Sequence, residues 1–174
     1  MSIEMMFLNG EIKKHENKLK ALYKIRNEMM GRDIKIREVY IGYYHIHLDQ
    51  LSDDKRAFVD DVVIADKYYL IYDHATVIGG FATKQNGWVS GFFTLVKGYS
   101  DIFLDTVLGQ ARKDSDANFL HLLCCGKVLR DYYLKRDWSV SSVAAWDEKL
   151  KHKLWNEEIH GKPHFYTMTL GRKS

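Results

Sequence analysis

Apolar residues recur at three- and four-residue steps from Glu11 to Met30, which predicts an amphipathic helix. Asn9 or Gly10 is placed to cap the start of this helix, and Gly31 is placed to end it. Lysines and arginines occupy most of the remaining helix surface, although several glutamates lie among them. We interpret this basic surface as solvated, with contact to an acidic partner as the alternative.

The next part of the chain is rich in β-branched and aromatic residues and predicts extended structure. Ile34–Leu48 predicts one or two strands, and Leu51–Val63 predicts a helix that Ser52 caps. Lys67–Tyr72 and Val77–Thr83 are apolar runs joined by a short connection, which predicts a β-hairpin.

The second half of the chain predicts a strand, a turn, a helix and a buried strand in succession. Trp88–Val96 has strand character, and Lys97–Asp101 forms a turn before Ile102–Arg112, where apolar residues repeat at helical spacing. Phe119–Cys125 is almost wholly apolar, as strands at the centre of a sheet are.

Three further elements follow Gly126. A helix that ends near Asp137 precedes two strands, Trp138–Trp146 and Phe165–Leu170. This order predicts an α/β protein, α+β in strict terms, with a mixed central sheet flanked by helices. We expect one domain over residues 1–174, with residues 1–31 as an N-terminal helical extension and 32–174 as the core.

The composition of the chain excludes few classes of function. The net charge of +3 is mild, so it does not require a nucleic-acid partner, and no apolar run is long enough to cross a membrane. We also find no export signal. The two cysteines, Cys124 and Cys125, are adjacent, which disfavours an internal disulfide and supplies too few ligands for zinc. A reducing cytoplasm is therefore the expected location.

The strand-turn-helix-strand unit around Gly98 has a chemical consequence. The helix that follows the turn collects several unpaired backbone N–H groups at its N-terminus, at one edge of the sheet. These groups and the helix dipole favour an anion such as a phosphate. The sequence therefore predicts an anion site at this turn.

Four segments between Lys67 and Leu170 indicate a family resemblance, which depends on their joint order and spacing and not on any one of them. They are Gly91–Gly98, Leu129–Trp138, Ala145–Asp147, and Trp155–Asn156 followed by Gly161–Met168. In this order the chain resembles the GNAT superfamily of acyltransferases, and more closely a branch often encoded by phages and mobile elements.

The resemblance implies a GNAT-like core that binds acetyl-coenzyme A (acetyl-CoA) between two parted strands. The positions that match the family's cofactor-binding segment are Phe93, Thr94, Leu95, Lys97, Gly98, Tyr99, Ser100 and Asp101. Tyr133 matches the family tyrosine that protonates the departing thiolate. The implied activity is transfer of an acetyl group to a primary amine of an unknown acceptor.

Several residues depart from the family pattern and keep two alternatives open. Asp101 places a negative charge beside the expected diphosphate, although Asp is also an ordinary helix-capping residue. Asp137 and His164 also replace the family's usual residues, as do Cys125 and Gly126. One alternative is a catalytically degenerate, phage-encoded protein that binds and inhibits a host protein. The other is nucleic-acid modification or binding through the basic helix and the aromatic residues.

Other residues with reactive side chains have weaker support. Candidates for a general base are Asp61, Asp66, His121 and Glu148, and the sequence does not choose among them. For His121, at the start of the buried strand, we favour a structural interpretation as a core histidine with its hydrogen bonds satisfied. His45 and His47 would share one face of a strand, but no third ligand accompanies them, so we expect no metal.

Two groups of residues favour a structural interpretation. Cys124 and Cys125 are expected to act as small apolar residues of a core strand, with a nucleophile as the alternative. The aromatic residues near the C-terminus are expected in the core, with an acceptor groove as the alternative. They are Trp138, Trp146, Trp155, Phe165 and Tyr166.

Overall fold

The computed structural model describes residues 3–60 and 63–171 of the chain. It divides into two compact units, Met1–Ile34 and Lys35–Ser174. In the described part of the chain, no helix combines the length and the apolar character that crossing a bilayer requires.

The first unit is a single long helix, α1 (Ile3–Met30). It begins well before the predicted start at Glu11, so Asn9 and Gly10 lie inside the helix and do not cap it. A glycine in a helix interior costs only about 1 kcal/mol relative to alanine, which is too little to end a helix. The predicted end is confirmed, because Gly31 follows the last helical residue with a φ of +70°.

The second unit contains two β-sheets, and the first has the order β1-β2-β3-β4. Its strands are β1 (Ile34–Val39), β2 (Lys67–Asp73), β3 (Thr76–Thr83) and β4 (Val89–Thr94). β2 and β3 form the predicted antiparallel hairpin, and β4 pairs antiparallel with β3.

The segment after β1 corrects one prediction. Ile41–Leu48 is not a strand but a helix, α2, with Tyr44 and Leu48 fully buried. These two residues lie four apart, which places them on one helix face, and they pack on the core beside Tyr68 and Phe93. Burial of this face therefore outweighs the β-propensity of the segment's Ile and Tyr residues.

A second prediction was too long. The predicted helix Leu51–Val63 contains a single helical turn, α3 (Asp53–Arg56), preceded by Ser52 as expected. Arg56 turns inward at the end of this turn, and its guanidinium donates to the carbonyl oxygens of Val59 and Asp60 at 2.8 Å. The buried guanidinium thus organises the irregular chain that follows α3.

The second sheet has the order β5-β7-β6, with all pairs antiparallel. The predicted elements of this half are confirmed in type and order. They are α4 (Ser100–Asp114), β5 (Phe119–Cys125), α5 (Lys127–Leu134), β6 (Ser139–Ala144) and β7 (Phe165–Gly171). The long connection between β6 and β7 contains a short 3₁₀ turn, Glu148–Leu150, and one turn of helix, α6 (Glu157–His160).

Candidate functional site

β4 and β5 run side by side but belong to separate sheets. They meet at an isolated parallel bridge between Trp88 and His121, where the amide of His121 donates to the carbonyl oxygen of Gly87 at 2.9 Å. The bridge lies near the start of both strands, so their later residues, toward Thr94 and Cys125, are not paired with each other. The predicted parting of the two strands is therefore confirmed.

A bulge in β4 lies at Gly91. The register between β3 and β4 shifts between Gly80 and Ala82, and Gly91 has a φ of +62°. A Cβ atom at Gly91 would collide with the hydroxyl of Tyr44 and with the side chain of Val63. The Tyr44 hydroxyl also donates to the carbonyl oxygen of Gly91. Helix α2 thus holds the bulge in place, and only glycine fits there.

The N-terminus of α4 lies just past the end of β4. Gly98 has a φ of +89°, and a Cβ atom there would meet no atom of the described residues within 4 Å. The amide of Phe103 donates to the carbonyl oxygen of Tyr99 at 2.8 Å. The amides of Ser100, Asp101 and the residue after them precede this first helical bond, so the helix itself provides no partner for them. The turn therefore offers backbone donors and the positive end of the helix dipole.

Three of the predicted cofactor-binding residues turn their side chains into the core. Tyr99 is 6% exposed, and its hydroxyl donates to the buried carboxylate of Asp73 at 2.6 Å. The ring of Phe93 is buried against Tyr44, with centroids 5.4 Å apart, and Leu95 packs on the same core. These three residues can contribute only main-chain groups to a ligand. The side chains of Thr94, Lys97 and Ser100 are half-buried or exposed.

Asp101 has a cationic partner that the sequence did not reveal. Arg136 Nη2 lies 2.5 Å from Asp101 Oδ1, and the guanidinium lies 3.7 Å from the ring centroid of Tyr132. The hydroxyl of Tyr132 donates to the carbonyl oxygen of Ser100 at 3.4 Å. Tyr132 of α5 and Arg136, just past the end of α5, therefore hold the first turn of α4, and the negative charge predicted to repel a diphosphate is paired.

Tyr133, the predicted general acid, is 8% exposed and packs edge-on against Tyr132 and Trp138. Burial raises the pKa of its phenol above the ordinary value, and the neighbouring thiol of Cys124 raises it further. The phenol therefore keeps its proton at every pH at which an enzyme of this kind would work. A protonated hydroxyl is what an acid requires, while the catalytic role itself stays a prediction.

The candidates for a general base are dispersed. Asp61 lies outside the described residues. Asp66 accepts a hydrogen bond from the amide of Gln85 at 2.8 Å, and Glu148 is bonded to Lys162, which lowers its pKa.

Of the candidates within the described residues, His121 alone lies where β4 and β5 meet. Its Nδ1 is 3.0 Å from the hydroxyl of Thr169, and its ring lies 5.6 Å from that of Trp88. The geometry gives this imidazole a satisfied place in the sheet, in agreement with the structural interpretation.

The histidines considered as metal ligands do not share a face. His45 and His47 lie on α2, where residues two apart point in different directions. Among the described residues, no group of three or more His, Cys, Asp or Glu side chains is arranged to hold a metal ion.

The aromatic residues near the C-terminus divide into two groups. Trp138 and Tyr166 are buried core residues, as expected. Trp155 is also buried, at 7% exposure, and the half-buried Trp146 and Phe165 pack against it. These three residues also line a pocket of about 310 Å³ at the C-terminal end of β5. The predicted core position is thus correct for Trp138, Trp155 and Tyr166, while the alternative, a groove, applies to the residues that line this pocket.

The two cysteines are free and buried at the same end of β5. Burial raises the pKa of each thiol to about 11. A thiol with so high a pKa is almost wholly protonated at neutral pH, which makes it a poor nucleophile. The expectation of small apolar residues in a core strand agrees with these properties.

We compared the sequence and the fold with those of known proteins. No family model matches the sequence, and no curated protein matches it significantly. Solved structures do match the fold. An N-acetyltransferase from Staphylococcus aureus superposes with a TM-score of 0.56 at 10% identity, covering 80% of this chain and 97% of the other.

Some of the similar structures contain the coenzyme. An acetyltransferase from Bacillus subtilis in complex with CoA gives a TM-score of 0.56 at 12% identity, covering 82% of this chain and 99% of the other. A GNAT-family acetyltransferase from Elizabethkingia anophelis with acetyl-CoA bound gives 0.53 at 13% identity, covering 80% and 98%. The chain therefore has the mixed α/β fold of the GNAT acetyltransferases.

Proposed function

We propose that this protein is an N-acetyltransferase that transfers the acetyl group of acetyl-CoA to a primary amine. The observation that carries the proposal is the parting of β4 and β5 beyond the Trp88–His121 bridge, with the N-terminus of α4 at the open end. A thin, flexible arm fits between two unpaired strand edges, whose main-chain groups can bond it, and a diphosphate fits a helix N-terminus.

The residues present fit this cosubstrate. Gly98 lets the chain turn with open space beside it, and the first amides of α4 follow at once. Lys97 adds a positive charge to the turn. Arg136 pairs with Asp101, so the acidic residue of the turn does not present an uncompensated charge to an anion. This pairing weakens the case for a degenerate scaffold, which rested partly on Asp101.

The chemistry assigns one proton transfer to this chain. Acetyl-CoA, when bound, supplies the acetyl group as a thioester, whose carbon–sulfur bond breaks as the amine nitrogen bonds to the acetyl carbon. Tyr133 donates its phenolic proton to the sulfur, and the nitrogen releases one proton to solvent, from which the Tyr133 phenolate takes one back. Burial of Tyr133 keeps the phenol protonated until that moment.

The fold does not specify which class of primary amine is the acceptor. The sequence resemblance alone favours a gene carried by a phage or mobile element. The two free, buried thiols support a reducing compartment such as the cytoplasm.

The proposal is tested by thermal denaturation of the purified protein with acetyl-CoA. At a hundred times its dissociation constant, acetyl-CoA should stabilise the fold by about 2.7 kcal/mol. S-acetyl-N-acetylcysteamine, a short thioester without the diphosphate, is the control and should give almost no stabilisation. A panel of primary amines is then assayed for thiol release. No stabilisation by millimolar acetyl-CoA would reject the proposal and favour a protein-binding role.

A further inference from the structure

The 310 Å³ pocket lies at the C-terminal end of β5, and none of the residues that we assign to acetyl-CoA line it. Three parts of the chain form its wall. They are residues 57–60 after α3, residues 123–125 of β5, and the aromatic and basic residues between Trp146 and Phe165. A volume of about 300 Å³ is at the lower limit of small-molecule sites, which suits a ligand of one or two rings.

The wall is unusually rich in aromatic rings. Trp146 lies between two of them, at 5.0 Å from Trp155 and stacked at 5.7 Å on Phe165. Phe58 meets Trp155 edge-on at 5.0 Å and is 45% exposed. A planar ring entering the pocket can therefore make both stacked and edge-to-face contacts.

The indole N–H groups of the two tryptophans already donate hydrogen bonds to acceptors of the protein. Trp155 Nε1 donates to the carbonyl oxygen of Gly161 at 3.0 Å, and Trp146 Nε1 donates to the Glu148 carboxylate at 2.8 Å. Both rings thus require no polar partner from a ligand. An apolar ring loses no hydrogen bond by covering them.

Among the described residues, the lining contains one acidic side chain, Asp60, and two lysines, Lys149 and Lys151. The ammonium group of Lys151 is already paired, at 3.0 Å from Glu157 and 3.8 Å from Glu148. One carboxylate in the lining can balance a ligand with a single positive charge, whereas a polyamine would bring several positive charges that the lining does not balance.

One side of the pocket borders the proposed cleft. Cys124 and Cys125 belong to the lining, and they lie at the C-terminal end of β5, where this strand is parted from β4. If the ring of a ligand lies among the tryptophans, a short substituent on that ring would therefore lie near the end of the β4–β5 cleft.

We infer that this pocket binds a small aromatic primary amine, which is the acetyl acceptor of the enzyme. The acceptor role rests on the proposed function, whereas the binding of the aromatic amine does not. The amine nitrogen would lie toward Cys124 and the ring between Phe58 and Trp146.

The test compares 2-phenylethylamine with 2-cyclohexylethylamine, a saturated amine of similar size. Binding to the full chain is measured by calorimetry without acetyl-CoA, and kcat/KM is measured with it. We expect 2-phenylethylamine to bind about 10-fold more tightly, because each aromatic pair contributes beyond the buried area. Equal affinity for the two amines, or no binding of either, would overturn the inference.

Matched variants locate the site. Phe58→Leu keeps an apolar side chain but removes a ring from the pocket, and it should weaken 2-phenylethylamine binding about 5-fold. Phe119→Leu removes a ring of similar exposure, 52%, from the other end of β5 and should leave binding unchanged. Equal effects of the two substitutions would overturn the inference.

The two proposals fail in distinguishable ways. If acetyl-CoA stabilises the protein but aromatic amines do not bind, the pocket inference is wrong and the enzyme proposal stands. If aromatic amines bind in a Phe58-dependent manner and acetyl-CoA does not stabilise the protein, the aromatic site stands and the acetyltransferase proposal is wrong.

Discussion

Arg136, two residues past the end of α5, forms an ion pair with Asp101 of α4, with 2.5 Å between Nη2 and Oδ1. The pairing places a guanidinium beside the turn where the coenzyme diphosphate is expected. The Asp101 side chain is 78% exposed, so the ion pair is worth little to stability. The ion pair matters instead because it compensates the negative charge of Asp101, which would otherwise repel an anion at this turn.

Arg136→Gln should therefore weaken acetyl-CoA binding while changing stability very little. We expect the dissociation constant to rise about 5-fold, since an unpaired Asp101 would then face the diphosphate across solvent. Calorimetric titration measures the effect. The double variant Arg136→Gln/Asp101→Asn should recover most of the lost affinity.

Arg130→Gln is the matched control for this prediction. Arg130 lies on α5, six residues before Arg136, but its acidic partner is its own neighbour Asp131. This substitution should leave acetyl-CoA affinity within about 2-fold of the wild type, as is usual for exposed ion pairs remote from a ligand. A loss equal to that of Arg136→Gln would mean that the two arginines contribute only general positive charge.

Tyr133→Phe should reduce kcat by about 100-fold, the lower range for loss of a general acid, with little change in the KM for acetyl-CoA. Tyr166→Phe is the control, because Tyr166 is a buried tyrosine paired in register with Cys124. It should retain most of the turnover. Full activity of Tyr133→Phe would reject the role of the phenol as acid.

The pH profile tests the same role independently. Burial raises the pKa of the Tyr133 phenol, so its protonated form persists above the ordinary value for tyrosine. Wild-type kcat should therefore hold its plateau to about pH 10, since ionisation of the phenol begins only above that value. A fall in kcat below pH 9 that disappears in Tyr133→Phe would contradict the raised pKa.

Gly91→Ala should destabilise the fold by about 3 kcal/mol, from backbone strain and overpacking together. The added Cβ would collide with Tyr44 and Val63 at a φ of +62°. Gly98→Ala is the comparison, because its φ is also positive but the space beside it is open. It should cost only about 1–2 kcal/mol. Urea unfolding measures both, and equal losses would show that strain alone, without the Tyr44 contact, sets the cost.

Cys124 and Cys125 should react slowly with iodoacetamide in the native protein. Burial raises the pKa of each thiol from 9.0 to about 11, so the thiolate is scarce until the pH approaches 11. At pH 8 we expect alkylation about 100-fold slower than in the denatured chain, as the shift of two pKa units implies. Mass spectrometry measures the rate. Fast alkylation at pH 7 would instead indicate an activated nucleophile.

The elements that the sequence predicted correctly are those whose pattern is local. The β2–β3 hairpin, α4 and β5 each carry their own periodicity and turn residues, and each is present. Ile41–Leu48 was wrong as a strand because packing of Tyr44 and Leu48 decides its conformation, and only the four-residue spacing of this pair could have indicated a helix.

Only part of the candidate site could be predicted from the sequence. The turn at Gly98 follows from the order of elements, which a sequence displays directly, whereas the parted strands were implied by the family resemblance. The Arg136–Asp101 pair and the contact of Tyr44 with Gly91 join residues far apart in the chain, so they depend on tertiary packing. The aromatic pocket likewise combines Phe58 with rings near Phe165, which no local pattern connects.

The most direct measurement is a titration of the isotopically labelled protein with acetyl-CoA, followed by amide chemical shifts. If the parted strands and the start of α4 hold the coenzyme, the largest changes will fall on the amides of residues 94–101 and 121–125, and they will saturate with a single dissociation constant. Unchanged shifts at these positions under millimolar acetyl-CoA, or changes confined to another surface, would contradict the proposed cofactor site.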